Sequence, residues 1–436
     1  MKAYPQYKSS GIDWLGEIPS HWVVCKIKHR ISMVLGKMLQ SKMPQVDGYS
    51  LEKYLKSRNV SMLEISGLDN LDEMWFSDSE KNIYLLKEGD VVMNEGGDIG
   101  KVALWKPLSF CCYLQNSVHK LTPNDTVNSS FLTYYLASIS FLGFFQSIVS
   151  QISIAHLTKE KLANTPLVVP SYEEQEAIAG YLDEVTAKVD ALMAEKRAQV
   201  EDLRKYRISL ITETATRGLN PNAPIKLTNS EWFPYIPTNW SIEKFKYQAT
   251  VKANLVHPTD YIHHPQISPD SIEKNTGRLL GYKSVEEAGI ISDNHLFYKG
   301  QIIYSKIRPN LNKVAIAPFD GLCSADMYPI ETLNNVRYFQ YLMLSNPFVS
   351  QVSVVIQDRV KMPRINQVEL GEIMILVPPI FEQQQIADYL DEKTAKIDSL
   401  IEELEAQLRD LATYRQAVIT EAVTGKVDVR DWTPKN

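Results

Sequence analysis

VVPSYEEQEAIAGYLDEVTAKVDAL, residues 168–192, and LVPPIFEQQQIADYLDEKTAKIDSL, residues 376–400, are one segment written twice. At an offset of 208 residues Pro170 matches Pro378, Glu174 matches Glu382, Tyr181 matches Tyr389, Asp183 matches Asp391 and Thr186 matches Thr394. The register holds without a gap to Ile211-Thr212-Glu213 and Ile419-Thr420-Glu421. An ungapped repeat of that length fixes an architecture of two similar halves.

Each copy reads as a long helix. Apolar residues recur at 4-3 spacing through Ile178, Leu182, Val185, Val189, Leu192, Leu203, Tyr206 and Leu210, with Lys196 and Gln199 between. The second copy gives Ile386, Leu390, Ile397, Leu400, Leu404, Leu411, Tyr414 and Val418, with Lys393 and Gln407 interposed. This is the coiled-coil pattern, and a rod of some 40 residues is about 60 Å long. Neither rod can bury its stripe alone, so the two are expected to pack on each other antiparallel, in a register that sets Lys196 opposite Gln407 and Gln199 opposite Leu404. Packing of each rod on another subunit is the alternative.

Working outward, GIDWLGEIPSHW, ending at Trp22, is answered by SEWFPYIPTNW, ending at Trp240. From Trp22 to Pro170 is 148 residues and from Trp240 to Pro378 is 138, so the halves share both ends and differ between them. Inside, LLKEGDVVM (85–93) resembles LFYKGQIIY (296–304), and GKVALW (100–105) resembles NKVAIA (312–317). The expected fold is α+β: two globular recognition domains in tandem, each followed by a long helix, the helices pairing as an antiparallel coiled coil. The expected boundaries are 1–165 and 166–218 for the first domain and rod, and 219–375 and 376–436 for the second, with its tail.

The chain has 436 residues and a formal net charge of −6, which argues against a simple basic coat for nucleic acid. Divided, the charge is informative. Residues 20–165 carry 15 Lys and Arg against 14 Asp and Glu, and residues 240–375 carry 14 against 13. The rods carry 7 against 10 and 7 against 12. Neutral modules with local basic loops suit selective DNA contact, whereas acidic rods suit protein partners. Cys25, Cys111, Cys112 and Cys323 show no CxxC spacing, and MKAYPQYKSS has no apolar core of a signal peptide, so a reducing cytoplasm is expected. The stretch 126–155 lacks any charge but is broken by serines and glutamines, so it reads as a buried helix and not a membrane span.

Candidate DNA-binding residues follow from chemistry. In the first module LGKMLQSKMPQVDGY offers Lys37, Gln40 and Lys42, and NEGGDIGK offers Asn94 and Lys101. A solvated loop is an equal reading of the first and a hairpin turn at least as good a reading of the second. Gln115, His119, Gln151 and His156 are further candidates, although a histidine placed as His119 is more often structural. In the second module SKIRPNLNK presents Lys306, Arg308, Asn310 and Lys313, and QDRVKMPR presents Gln357, Arg359, Lys361 and Arg364. Arg pairs with guanine and Gln or Asn with adenine in the major groove, while Lys suits phosphate. A solvated basic edge is the competing reading.

No phosphate loop, HExxH, GxSxG or amino-methyltransferase motif is found. No metal site is expected, His263-His264 lying without Cys neighbours. The chain reads as a binding scaffold and not an enzyme. A restriction or methylation enzyme with an unrecognised site, or a coiled-coil organiser of proteins alone, are the alternatives from other classes.

YKSSGIDWLGEIPSHW, VVPSYEEQEAIAGYLD and LVPPIFEQQQIADYLD together resemble the specificity subunits of type I restriction-modification systems, and the resemblance runs end to end. The second opening departs, with SEWFPYIP in place of the fuller GIDWLGEIP. The resemblance implies a non-catalytic, cytoplasmic, prokaryotic DNA-binding subunit whose two domains each read half of a bipartite asymmetric site on double-stranded DNA. It implies a helical ruler between half-sites, two methyltransferase subunits and the restriction-translocase subunits as partners, and no membrane. S-adenosylmethionine, ATP and Mg would belong to those partners and no cofactor to this chain.

Overall fold

The computed structural model describes residues 2–149, 156–359 and 361–433. Gln151 lies outside the described residues. The chain forms two compact units, one of residues 1–195 with 407–436, the other of residues 196–406. Each unit therefore takes a module and half of each long helix.

The first unit is built on a four-stranded antiparallel sheet of β1 (Ile31–Leu35), β2 (Val91–Asn94), β3 (Val102–Leu104) and β4 (Val118–Pro123), in the order β3-β2-β4-β1. The second unit repeats it with β5 (Ala249–Val251), β6 (Ile302–Ser305), β7 (Val314–Ile316) and β8 (Met327–Thr332), in the order β7-β6-β8-β5. The dim likeness of LLKEGDVVM to LFYKGQIIY is thus a matched strand, β2 and β6. An apolar helix covers each sheet: Ser129–Phe141, capped by Asn128, and Val336–Leu344, capped by Asn335. Residues 129–141 of the charge-free stretch form the first of these, with Phe131, Leu132, Tyr135, Leu136 and Ile139 fully buried. No described helix is long and apolar enough to cross a membrane.

The rods are single helices, Tyr172–Arg217 and Ile380–Val423, of 46 and 44 residues. Each is entered through a strand that closes its module: Pro166–Val169 pairs with Val23–Lys26, and Met374–Val377 with Ser241–Lys244. The repeated polar residues clamp module to rod in the same way twice. Glu174 accepts from Trp22 Nε1 at 3.1 Å and from Tyr4 Oη at 2.6 Å, and Glu382 accepts from Trp240 Nε1 at 2.7 Å. Tyr134 Oη donates to Asp183 at 2.7 Å, and Tyr341 Oη donates to Asp391 at 2.8 Å. Gln175 and Gln383 each accept the backbone N–H at the start of the covering helix, at 2.8 Å. Burial and the adjoining carboxylate push both tyrosine hydroxyls well above their ordinary range.

Within each unit the two helices run antiparallel. In the second, Arg207 pairs with Asp398 (2.8 and 3.2 Å) and Arg204 with Glu405 (2.8 Å). In the first, Arg415 pairs with Asp190 (2.8 and 3.0 Å). Arg207 and Arg415 are repeat equivalents, as are Asp190 and Asp398, so one bidentate pair is made twice with the helices exchanged. Arg207–Asp398 and Arg415–Asp190 lie about half a turn from the expected register, whereas Arg204–Glu405 is displaced from it by six residues.

The seam corrects the heptad reading at specific positions. Leu182, Val189, Leu390 and Ile397 are buried, and Leu203, Leu210, Leu404 and Leu411 are half-buried. Leu192 and Leu400 point outward, 41% and 50% exposed, and Met193, Val200 and Ile401 take the inward places. The reason is period: a straight helix turns every 3.6 residues, so a strict 3.5 stripe drifts by roughly 20° per heptad. Four-residue steps, Val189 to Met193 and Ile397 to Ile401, bring the stripe back to its partner.

Candidate nucleic-acid interface

The matched strands carry unmatched loops. In the second unit the chain leaves β6 at Ser305, makes a turn at Pro309–Leu311 and returns at β7. A second segment locks on: Ile307 and Arg364 form a bridge, Ile365 N donates to Lys306 O (3.0 Å) and Arg308 N donates to Pro363 O (2.8 Å). The two basic clusters, 306–313 and 357–364, are thereby one surface. Lys306 Nζ sits 5.1 Å from the centre of the Tyr328 ring. Arg308, Asn310, Gln357 and Lys361 are exposed, and no described residue pairs with their side chains. Arg359 is tied to Glu369 and to the Arg364 carbonyl, and Arg364 reaches Asp326 at 3.5 Å. Lys313 turns inward and donates to Pro269 O at 2.7 Å. His295, beside this loop, is held below the ordinary histidine range by burial and by Lys306.

In the first unit the corresponding loop joins β2 to β3. Asn94 is fully buried and donates to Ser57 O and Val60 O (3.1 and 3.3 Å). Lys101 is paired with Asp98 in the same turn. His156 bonds Glu95 at 2.8 Å, and His119 is buried with Nε2 2.7 Å from Leu157 O. Burial holds His119 below its ordinary range. Lys37 is buried too, its ammonium on Trp75 O (2.8 Å) and Glu80 (2.5 Å) and over the Tyr49 and Phe76 rings. Gln115 bonds Ser117 and Asn116 next to it. Asn94, Lys37 and His119 are thus occupied inside the module, while Gln40 is half-buried and Lys42 exposed.

Sequence reasoning passed over what surrounds Lys42. Met38, Leu39, Met43 and Val46 are 76%, 59%, 67% and 69% exposed. Four apolar side chains offered to solvent within nine residues is the signal that was available in KMLQSKMPQV, and it was masked by reading only its lysines and glutamines.

The family model described as "Type I restriction modification DNA specificity domain" matches residues 50–202 and 241–410. The chain belongs to the type I restriction-modification specificity subunits. Among its relatives, the specificity subunit of the EcoDI type I restriction enzyme of Escherichia coli is 33% identical over 300 residues, covering 65% of this chain and 67% of that one. The putative MjaX specificity subunit of Methanocaldococcus jannaschii is 23% identical over 436 residues, covering 95% and 96%. A chain from a solved structure concerned with complex assembly and conformational transition of the type I R-M system superposes with a TM-score of 0.69. It is 12% identical and covers 94% of this chain and 99% of that one. Both family matches begin in a module and end in a long helix, so this specificity subunit carries the pairing of module and rod twice over. Among its described residues no three His, Cys, Asp or Glu side chains converge as a metal site, and all four cysteines are free thiols.

Proposed function

We propose that this specificity subunit reads a bipartite, asymmetric site on double-stranded DNA, with residues 1–165 and 219–375 as its two target-recognition domains. The observation that carries this reading is a single sheet-and-helix frame built twice with unlike loops at the same place. A frame held by Glu174, Gln175 and Asp183, and again by Glu382, Gln383 and Asp391, fixes each reader to its helix. The loops then change what is read without changing how it is held. The two long helices, about 65–70 Å each at 1.5 Å per residue, act as the ruler that sets the unread spacer.

The chain itself performs no chemistry in this reading. Its modules and acidic rods dock two methyltransferase subunits, which bind S-adenosylmethionine, and restriction-translocase subunits, which use ATP and Mg, in a prokaryotic cytoplasm. Phosphate contacts place each module, and base-edge contacts select sequence. The test is adenine methylation mapped across the genome of a host expressing this chain with the methyltransferase subunit of its own system. A single gapped two-part motif that vanishes without this chain is the expected result. Methylation by the purified chain alone, or a motif that persists in its absence, would overturn the proposal.

A further inference from the structure

Arg308 is set apart by its backbone. It lies at φ 43°, ψ 51°, in the left-handed region, which costs a residue with a side chain free energy that glycine does not pay. Asn312 at φ 45° and Met362 at φ 46° lie on the same two joined segments, so three of the five left-handed non-glycine residues among those described gather here. Asn312 is also 1% exposed with neither amide atom hydrogen-bonded. The corresponding loop of the first unit meets the same need with Gly97 and Gly100, at φ 71° and 84°. The second loop therefore keeps side chains where the backbone favours glycine.

What Arg308 gains for that strain is not a partner inside the protein. Of the three arginines on this surface, Arg359 is anchored to Glu369 and Arg364 leans on Asp326, whereas no described residue takes the Arg308 guanidinium. Its main chain is nonetheless fixed at both ends, Arg308 N to Pro363 O and Leu311 N to Arg308 O, each at 2.8 Å. A fixed stem carrying a free planar fork of donors is built for a planar pair of acceptors. In DNA the N7 and O6 atoms of guanine in the major groove are that pair. Lys306 and Lys361, flanking it as single ammonium donors, suit phosphates.

We propose that Arg308 is the specificity-determining residue of the second unit, reading a guanine in one half-site through two parallel N–H donors. This rests on the function proposed above. The experiment maps adenine methylation in hosts expressing the methyltransferase subunit with wild-type chain, Arg308→Gly or Arg308→Lys. Glycine relieves the backbone and leaves the fold at least as stable, so a melting temperature at or above wild type is expected. The motif should become degenerate at one G·C pair of one half-site in both variants, the preference there falling roughly 5- to 150-fold, with the other half-site unchanged. A wild-type motif from Arg308→Gly would overturn the inference. So would full retention of the guanine by Arg308→Lys, uniform weakening at every site, or degeneracy at an A·T pair. No gapped motif from the wild-type chain would overturn the functional reading itself and this inference with it.

Discussion

The loops 95–101 and 306–313 leave matched strands of matched sheets and have opposite characters. EGGDIGK carries two carboxylates and one lysine, and its positive-φ positions are glycines. KIRPNLNK carries three cations, no acid and no glycine, and puts Arg308 and Asn312 at positive φ instead. Each such residue costs on the order of 1–3 kcal/mol. The first loop is relaxed and internally paired, while the second is strained and leaves its guanidinium free. The shared sheet is a holder that tolerates either, which under the proposed function would let one scaffold carry two specificities.

The largest effect should come from erasing that difference. Replacing 306–313 with EGGDIGK keeps a hairpin, removes Lys306 and Arg308, adds two carboxylates and leaves one lysine at the place of Lys313. Methylation mapping is expected to show one half of the motif lost and the other intact. Loss of both halves would mean that the loop supports the fold and not the reading.

A second test asks whether the frame is as symmetric as its sequence. Arg207–Asp398 and Arg415–Asp190 are the same pair, but Arg207 is 6% exposed at its side chain and Arg415 18%, with Asp398 at 20% and Asp190 at 52%. Arg207 also donates to Asn275 O and Thr276 O, at 3.3 and 3.0 Å. Arg207→Ala therefore strands a carboxylate and two carbonyls in a confined place and should cost about 3 kcal/mol. Arg415→Ala leaves Asp190 in water and should cost about 1 kcal/mol or less. Equal losses in chemical denaturation would show that burial does not separate the two.

Much of this was legible beforehand, and the exceptions have a common cause. The repeat located both rods and both modules because helical periodicity and an ungapped register are properties of neighbouring residues. Lys37, Asn94 and His119 were read as DNA contacts because their residue types suit bases and phosphates. Their partners inside the fold, Glu80, Ser57 and Leu157, stand 43, 37 and 38 residues away. Most buried polar groups find a hydrogen-bond partner. Sequence spacing cannot say whether that is a carbonyl across the module or a base. For the same reason nothing in SKIRPNLNK announced which of its cations would be free: Lys313 turned inward to Pro269 O, Lys306 settled over Tyr328, and Arg308 remained.

The buried histidines give the two units a pH dependence of unequal size. His119 and His295 are both held below the ordinary 6.5, chiefly by burial, and His119 lies deeper. When the folded pKa is depressed, the unfolded chain takes up the proton first. The stability is therefore present above about pH 6.5 and is lost as pH falls below it. Melting temperature should drop between pH 7 and pH 5. His119→Gln, which keeps an N–H for Leu157 O, should flatten that drop more than His295→Gln does. A wild-type curve flat over this range would remove the histidines from the comparison.

The smallest expected effect is the sharpest probe of the rods. By heptad counting Leu192 and Leu400 are seam residues, and a charge there should split the helices. The geometry says otherwise, because after Val189 and Ile397 the buried stripe advances by four, to Met193 and Ile401. Leu192→Glu and Leu400→Glu should then change stability by no more than about 0.5 kcal/mol, as ordinary surface substitutions do. Ile401→Glu, one residue along and 9% exposed, places a carboxylate against Val200 and Leu404 and should cost several-fold more. The contrast between adjacent residues measures phase directly. Were Leu400→Glu the more damaging of the two, the helices would be supercoiling at 3.5 residues per turn, and the inward placement of Arg207 and Arg415, which depends on the same phase, would fall with it.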